Sequence, residues 1–397
     1  MSAISEAFRN DNEIYFLVEL DLQGLIKRYS TKGAIQVPNS GGDDLLFDGK
    51  LISIPTVSNT FDFHSFRYSN PQVRIEIINN DRFQDNEISR KLESGRGRIW
   101  VWSKSLDWSD IEDFPIFSGS IRKVTHNKDA YSCILIDFAS TVYDYLDDYN
   151  VSNELPGDMI WNLLNRYTDI PGDYINRASF KDMNLILKGL VIDTLVDNRV
   201  AAFDLIDRIL FQCLCARCQR YGQIAAVVFD INGPVIDKFY QHDYLNRTIS
   251  IEKTPYEKVT NHLVISYDPT SNSPAVVTWA TNDIEYDWSN NRKCAESYAE
   301  HGILPETKLY FSDCGHKGSA HYCANRYLEF FAFNHDLITI DFPYHRVFDL
   351  LEGSIAELNI EEGSDLNGDG WTNEKCILLD KSYLADRIKT HWWRINV

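Results

Sequence analysis

The chain has 397 residues, too many for one small domain, and 44% of them are hydrophobic and 24% charged, as is ordinary for a folded globular protein. This composition excludes a disordered chain, collagen and a coiled coil, and no apolar run reaches the roughly 18 residues of a membrane helix. The net charge of −19 disfavours nucleic-acid binding, because phosphate contacts need clustered positive charge.

The first third, residues 1–150, has the alternating pattern of antiparallel β-structure. Apolar side chains recur at every second position of 14–22, and Val73, Ile75 and Ile77 alternate with charged residues. The other strands predicted here are 99–102, 115–124 and 132–138. Short strands separated by Gly- and Asn-rich turns predict a β-barrel domain.

The middle region, residues 151–240, changes to a helical repeat. An apolar stripe over 159–167 predicts a helix that ends before Pro171. A second amphipathic helix is predicted from about Ala201 to Gly222, followed by a strand. We therefore interpret this region as an α/β insertion.

The last third, residues 241–397, returns to β-structure. Its predicted strands are 247–251, 259–267, 275–280, 337–342, 355–360, 376–379 and 391–396. Between them, a stripe over 320–331 at helical spacing predicts one helix. The sequence thus predicts a mainly β, α+β fold, in which two β-barrel-like domains, 1–150 and 241–397, flank the insertion.

One short internal similarity suggests that the two β-regions arose by duplication. Residues 117–121 read Phe-Ser-Gly-Ser-Ile, and residues 351–355 read Leu-Glu-Gly-Ser-Ile. A duplication would place Gly119 and Gly353 at equivalent turns between strands.

Two cysteine sets are candidate metal ligands. Cys213, Cys215 and Cys218 form a C-x-C-x-x-C pattern that could hold zinc or an iron–sulfur cluster with Cys294 as the fourth ligand. On a helix these three side chains point in different directions. We therefore favour buried structural cysteines over a metal site.

The second set is Cys314, His316, His321 and Cys323, a compact C-x-H-x4-H-x-C pattern of good zinc ligands. Its spacing matches neither of the usual zinc-finger patterns. Cys323 also belongs to the apolar stripe of the predicted helix, which assigns it to the core. A structural role is again the favoured interpretation.

A third candidate is a calcium loop formed by Asp365, Asn367 and Asp369. Oxygen ligands stand at the first, third and fifth positions, and Gly370 follows. The acid required at the twelfth position is replaced by Cys376, which favours a simple acidic turn. No Walker, G-x-S-x-G or H-E-x-x-H pattern occurs in the sequence, so no catalytic set and no cofactor are predicted.

The order of the segments carries a resemblance to a known group of proteins. In the first third the segments are 15–22, 69–71, 73–80, 100–108 and 117–121. In the last third they are 261–267, 320–331, 338–342, 347–355, 385–387 and 392–395. Taken together, they resemble the baseplate hub or tail-tip hub proteins of tailed bacteriophages and of related gene-transfer or contractile injection particles.

The resemblance implies a structural protein of the virion, made in the host cytoplasm, and not an enzyme. Such hubs form homotrimers in which two tube domains per chain build a six-fold-like ring. The ring continues the tail tube or distal tail protein on one side and holds a spike, fibre or tape-measure protein on the other. An acidic channel would let DNA pass without specific binding.

Two other functions remain open from the sequence. One is a carbohydrate-active or receptor-binding tail protein that stacks some of its aromatic residues, 13% of the chain, on sugar rings. The other is a metal-dependent enzyme that uses the Cys/His set.

Overall fold

The structure, a computed structural model, describes the chain except residues 1, 12, 54–55, 63–64, 70–71, 79–94, 127–128, 141–143, 147–148, 197–198, 246–248, 269–281, 362–369 and 396–397. Its helices are α1 (Ala3–Asn10), α2 (Trp108–Ile111), α3 (Pro156–Tyr167), α4 (Arg177–Ile186), α5 (Ala202–Gln212), α6 (Arg292–His301), α7 (Lys317–Phe331) and α8 (Tyr344–Val347).

The strands of the first third are β1 (Ile14–Leu22), β2 (Leu25–Ser30), β3 (Ile35–Val37), β4 (Leu45–Phe47), β5 (Leu51–Ser53), β6 (Val57–Ser58), β7 (Phe61–Asp62), β8 (Arg67–Tyr68), β9 (Gln72–Ile78), β10 (Arg96–Ser103), β11 (Phe117–His126), β12 (Ala130–Asp137) and β13 (Tyr145–Leu146). Those that follow are β14 (Tyr149–Glu154), β15 (Ile192–Val196), β16 (Val200–Ala201), β17 (Cys215–Arg220), β18 (Gln223–Val228), β19 (Val235–Phe239), β20 (Ser250–Lys253), β21 (Leu263–Tyr267), β22 (Asn282–Tyr286), β23 (Thr307–Phe311), β24 (Asp336–Phe342), β25 (Ile355–Ile360), β26 (Trp371–Tyr383) and β27 (Ile388–Arg394). The predicted mainly β, α+β fold is confirmed.

The first sheet has seven strands in the order β2-β1-β10-β11-β12-β9-β5. It nearly closes on itself, because the segment after β4 contacts the outer side of β2 just before β5 begins at the opposite edge. The Asp48 amide donates to the Arg28 carbonyl at 3.0 Å, and the Ser30 amide donates to the Asp48 carbonyl at 2.8 Å. A nearly closed sheet of this kind has few unpaired edge groups.

The second sheet runs in the order β19-β25-β26-β27-β24-β20, and β6 pairs with β26 as the seventh strand. β19 is parallel to β25, and the other pairs are antiparallel. Because β6 comes from the first third and β19 from the middle region, strands from all three predicted regions meet in this sheet. The boundaries near residues 150 and 240 stay a prediction.

The second sheet is buried on both faces, since successive strand residues point to opposite sides. Trp392 packs in one hydrophobic cluster with first-sheet residues such as Leu20, and Trp393 packs in another with helix residues such as Leu205. Both tryptophans are almost fully buried. This sheet therefore joins the two hydrophobic cores of the chain.

The middle region packs against a small three-stranded sheet from the last third. α3, α4 and α5 share a core with the hairpin of β17 and β18. β21 lies between β22 and β23 in the small sheet, and α7 packs against it. The predicted helices over 159–167 and 320–331 are confirmed as α3 and α7.

The predicted helix from Ala201 to Gly222 is wrong in its second half. α5 ends at Gln212, and Leu214 has a φ of 50°, a left-handed backbone that stops a helix. β17 and β18 then form a hairpin whose turn residues, Tyr221 and Gly222, both have positive φ, as a type I′ turn requires. The C-x-C-x-x-C pattern thus lies at a helix-to-strand transition.

The prediction that Gly119 and Gly353 occupy equivalent turns is also wrong. Gly119 lies inside β11, opposite Gly97 and Asp137, whereas Gly353 lies in the turn before β25 with a φ of 86°. A Cβ on Gly119 would lie 2.1 Å from the Ile136 carbonyl oxygen, so the close approach of strands requires glycine there. The duplication argument built on these residues falls.

Two predictions lie outside the described residues. One is the strand at 275–280, and the other is the calcium loop of Asp365, Asn367 and Asp369. Among the helices of the described part of the chain, none has the length and apolar character needed to cross a bilayer.

Candidate functional site

Four of the eight cysteines meet in the core between the middle region and the last third. Cys213 directly follows α5, Cys215 begins β17, Cys314 follows β23 and Cys323 lies on α7, and all four are buried. The Cys314 and Cys323 sulfur atoms are 3.9 Å apart. We call these four residues the thiol cluster.

Cys323 is the acceptor at the centre of the thiol cluster. The thiols of Cys213 and Cys314 both donate hydrogen bonds to its sulfur, and the Arg326 guanidinium adds favourable charge. These contacts hold the pKa of Cys323 well below its usual range, and the same bonds raise the pKa of Cys213 and Cys314. A sulfur that accepts hydrogen bonds is stabilised as the thiolate.

The cluster takes two members from each predicted metal set and leaves the others apart. Cys218 lies elsewhere on β17 near Glu352, and burial raises its pKa to about 12. Cys294 lies on α6, where burial raises its pKa to about 11.

The two histidines of the second set make other contacts. His316 Nε2 lies 2.9 Å from Asn153 Oδ1, and His321 Nδ1 is hydrogen-bonded to the Tyr286 hydroxyl. Within the described part of the chain, no group of three or more His, Cys, Asp or Glu side chains is arranged to hold a metal ion. A structural role for the cysteines stays the prediction.

Next to the thiol cluster, Asp313 joins α5 to the last third through a dense hydrogen-bond network. Its carboxylate, 1% exposed, accepts two bonds from Arg208, at 2.8 and 2.9 Å. It also accepts bonds from Gln212 Nε2 at 2.7 Å and from Thr194 Oγ1 at 2.9 Å. A buried carboxylate with this many donors fixes the relative position of the segments that supply them.

Asp193 lies at the same boundary, and its amide donates to the Asp313 carbonyl at 2.9 Å. Its carboxylate accepts bonds from Ser152 Oγ at 2.6 Å and from the Asn153 amide at 3.0 Å. Gly315 lies so close that a Cβ there would be 2.4 Å from Asp193 Oδ2. The turn after Cys314 can therefore reach this carboxylate only because residue 315 has no side chain.

Sequence reasoning missed both of these aspartates. Asp313 lies two residues after the end of β23, and Arg208 lies beside the apolar face of α5. An acid at a strand end and an arginine beside an apolar helix face are the available signals, but the sequence does not reveal that they meet.

A small polar cleft lies where both sheets contact the hairpin of β17 and β18. Asn59, Phe117, Arg220, Glu352 and Lys381 are among its lining residues, and its volume is about 20 Å³. Lys381 is buried and donates to the carbonyl oxygens of residues 348 and 350. Such a volume suits an ordered water molecule better than a substrate.

Exposed apolar side chains lie on the terminal strands of both sheets. In the first sheet, β2 carries Ile26 and β5 carries Ile52, and about half of each residue is exposed. In the second sheet, β19 carries Ile236, which is 53% exposed. Exposed apolar side chains of this kind are suited to contact with another chain.

A further exposed apolar surface follows α6. Trp288, 58% exposed, stacks on Tyr298 with ring centroids 5.7 Å apart. One turn along the helix, Tyr256 packs edge-on against His301, and Ile303 is exposed just beyond the helix end. We call these five residues the α6 ridge.

Comparisons with known proteins give matches in structure only. No protein-family model matches the sequence, and no curated protein matches it either. The fold is similar to that of the tail protein from Neisseria meningitidis MC58, with a TM-score of 0.54, 10% identity, and 96% of each chain covered. It is also similar to prophage tail protein gp18 from Listeria monocytogenes EGD-e, with a TM-score of 0.51, 9% identity, and 95% of this chain and 94% of that chain covered.

At identities near 10%, these matches show similarity of fold, and the similarity extends over nearly the whole length of all three chains. The resemblance that the sequence predicts is thereby confirmed for the fold, which is that of these tail proteins.

Proposed function

We propose that this protein is a structural hub of a phage tail tip or baseplate, located in the virion and without catalytic activity. The observation that carries the proposal is the full-length fold similarity to two tail proteins. In this proposal residues 1–150 and 241–397 supply two tube domains, and 151–240 is the insertion between them. Tail-tube or distal tail protein and a spike, fibre or tape-measure protein are the partners.

Three copies form the ring. A closed three-fold ring needs a heterologous contact between two unlike surfaces of the same chain. The exposed apolar side chains on terminal strands supply such a pair, with Ile26 and Ile52 on the first sheet and Ile236 on the second. The contact therefore joins the first sheet of one copy to the β19 edge of the next.

The ring encloses a channel and changes symmetry. Two barrel-like units in each of three copies give six similar units facing the tube, while the other face keeps three-fold symmetry. The net charge of −19 lets the channel wall repel the DNA backbone, so that a genome slides through without specific binding.

The oligomeric mass in solution tests the proposal. We expect native mass spectrometry of the full chain at micromolar concentration to give three times the 45.9 kDa chain mass. Ile236→Lys and Ile52→Lys should each reduce the trimer while the separated chain keeps its secondary structure, as circular dichroism would show. Leu185→Lys is the matched control, because Leu185 is an exposed apolar residue on α4. A chain that stays monomeric alone and with tail-tube protein would contradict the hub function.

The α6 ridge favours a second candidate, a receptor-binding tail protein that recognises carbohydrate. One face of the Trp288 indole stacks on Tyr298, and the residue remains 58% exposed. An exposed aromatic face offers apolar area to the C–H groups of a sugar ring. A glycan array with wild-type protein and Trp288→Ala decides: signals lost in the variant support this function, and an array without signals contradicts it.

A further inference from the structure

We propose that Cys314 and Cys323 form an intrachain disulfide when the folded protein meets a small-molecule disulfide oxidant. The inference concerns the chain itself and does not depend on the ring or its partners. It differs from the metal sites predicted from sequence, since it uses only two members of the thiol cluster.

The geometry of the pair carries the proposal. The two sulfur atoms are 3.9 Å apart in the reduced protein, and a disulfide needs about 2.05 Å. Cys314 lies in the short connection after β23, and Cys323 lies in the second turn of α7. The two residues are nine positions apart in sequence, so closing the bond crosslinks neighbouring segments.

Cys323 is the nucleophile because the Cys314 thiol donates to its sulfur at 3.9 Å and the Arg326 guanidinium adds favourable charge. The Cys323 thiolate attacks one sulfur of the oxidant, the oxidant's S–S bond breaks, and one thiol leaves after taking a proton. The Cys314 thiolate, its proton lost to solvent, then attacks Cys323 Sγ and displaces the second thiol. Two protein thiols are oxidised, and one disulfide is reduced to two thiols.

Cys213 is the competing partner, since its thiol also donates to Cys323. The amides of both residues are held, that of Cys213 by the Ile209 carbonyl at 3.2 Å and that of Cys314 by the Phe311 carbonyl at 3.1 Å. The Cys213 carbonyl also accepts from Arg326 Nε at 3.3 Å, which holds Cys213 on both sides. The Cys314 sulfur therefore moves to Cys323 more readily.

The environment of a virion protein explains when the disulfide would form, and this part of the inference alone rests on the proposed function. A virion protein is made in a reducing cytoplasm and later enters an oxidising medium. The four thiols are buried, so the oxidant gains access through local opening and the bond forms slowly. The crosslink then fixes the turn that carries Asp313 to α7 after assembly is complete.

The experiment uses the full chain, reduced and then incubated with oxidised glutathione under native conditions. Remaining thiols are alkylated in denaturant and counted, and the protein is digested with trypsin. Lys317 lies between the two cysteines, so the expected disulfide links peptide 309–317 to peptide 318–326. We expect the count to fall from eight thiols to six, with this linked pair as the main product.

Cysteine-to-serine variants show which residues form the disulfide. Cys314→Ser should abolish the linked pair, whereas Cys133→Ser, in the first sheet, and Cys213→Ser should retain it. Because the wild-type peptide map decides on its own, a misfolded variant leaves the test intact. Eight unreacted thiols, a main product linking other cysteines, or zinc or iron released when these thiols react would each overturn the proposal. None of these results bears on whether the chain forms a trimer.

Discussion

The Asp313 network gives the sharpest test of how the middle region is attached to the last third. Asp313→Ala removes a carboxylate that is 1% exposed and accepts five hydrogen bonds, two of them from Arg208. The substitution leaves Gln212 and Thr194 without this acceptor and the Arg208 guanidinium without its counter-charge. Breaking a buried ion pair from one side costs about 3–5 kcal/mol.

The structure reduces that figure. The Arg208 side chain is 37% exposed, so water partly replaces the lost carboxylate. We expect Asp313→Ala to lower the free energy of unfolding by about 3 kcal/mol and Asp313→Asn, which keeps the shape and loses the charge, by about 1–2 kcal/mol. Asp386→Ala is the control: Asp386 pairs with Arg387 at 3.4 Å but is 73% exposed, and its loss should cost less than about 0.5 kcal/mol.

The assay combines urea unfolding with hydrogen exchange. Because a chain of this size can unfold in steps, exchange should rise first in α5 and in the segment around residues 312–314. A double-mutant cycle with Arg208→Met measures the coupling between the two side chains. An Asp313→Ala protein within about 0.5 kcal/mol of wild type, or exchange that rises equally everywhere, would refute the reasoning.

Two further predictions concern the β17–β18 hairpin and a buried histidine. Gly222→Ala should lower the free energy of unfolding by about 2 kcal/mol or more, because the residue has a φ of 70° and a new Cβ would lie 2.2 Å from Ser118 Oγ. Gly172→Ala is the control, since nothing lies within 4 Å of a Cβ there. Equal urea midpoints for the two variants would contradict this prediction. Burial lowers the pKa of His335 to about 4. Between pH 6.5 and 4, His335 therefore binds a proton in the unfolded chain but not in the folded one. The free energy of unfolding should fall by up to about 3 kcal/mol as the pH drops through that window. His335→Gln should reduce this pH dependence in urea titrations at pH 7.5 and 4.5, and an unchanged pH dependence in the variant would count against the assignment.

The strands were the most predictable part of the fold, because their pattern is local. β1, β9, β24 and β25 alternate or are continuously apolar, and each was found within a few residues of its bounds. The pairing partners were not predictable. β6 and β19 join a sheet built mainly from the last third. β6 has two residues and β19 has five, and strands this short do not indicate so distant a partner.

The missed helices have weak apolar stripes. α6 buries only Cys294 and Ser297, and one of the three residues that α4 buries is Ser179. Where small or polar side chains face the core, the helical period of hydrophobicity disappears. The β17–β18 hairpin was missed for a related reason, since Tyr221 is an unusual first residue for a turn that needs positive φ.

The candidate site was predictable in its residue types and not in its grouping. The sequence singled out seven Cys and His residues in two local sets plus Cys294, but the thiol cluster draws Cys213 and Cys215 from one set and Cys314 and Cys323 from the other. Local spacing cannot reveal a cluster whose members lie about 100 residues apart. The tertiary structure is needed to show that these cysteines meet.

The acidic composition acts differently in the interior and at the surface. Three buried acids each contact a distant part of the chain. Asp137 pairs with Arg217 and accepts a hydrogen bond from Gln219. Asp313 accepts from Arg208, and Asp380 accepts from the Phe61 amide. Because a buried carboxylate is costly without its own partners, each contact permits one placement of the segments it joins. A ring of identical copies closes only if the angle between its two contact surfaces is fixed. If the chain forms the proposed ring, the buried acids fix the shape of each copy, and the exposed acids give the ring a negative surface.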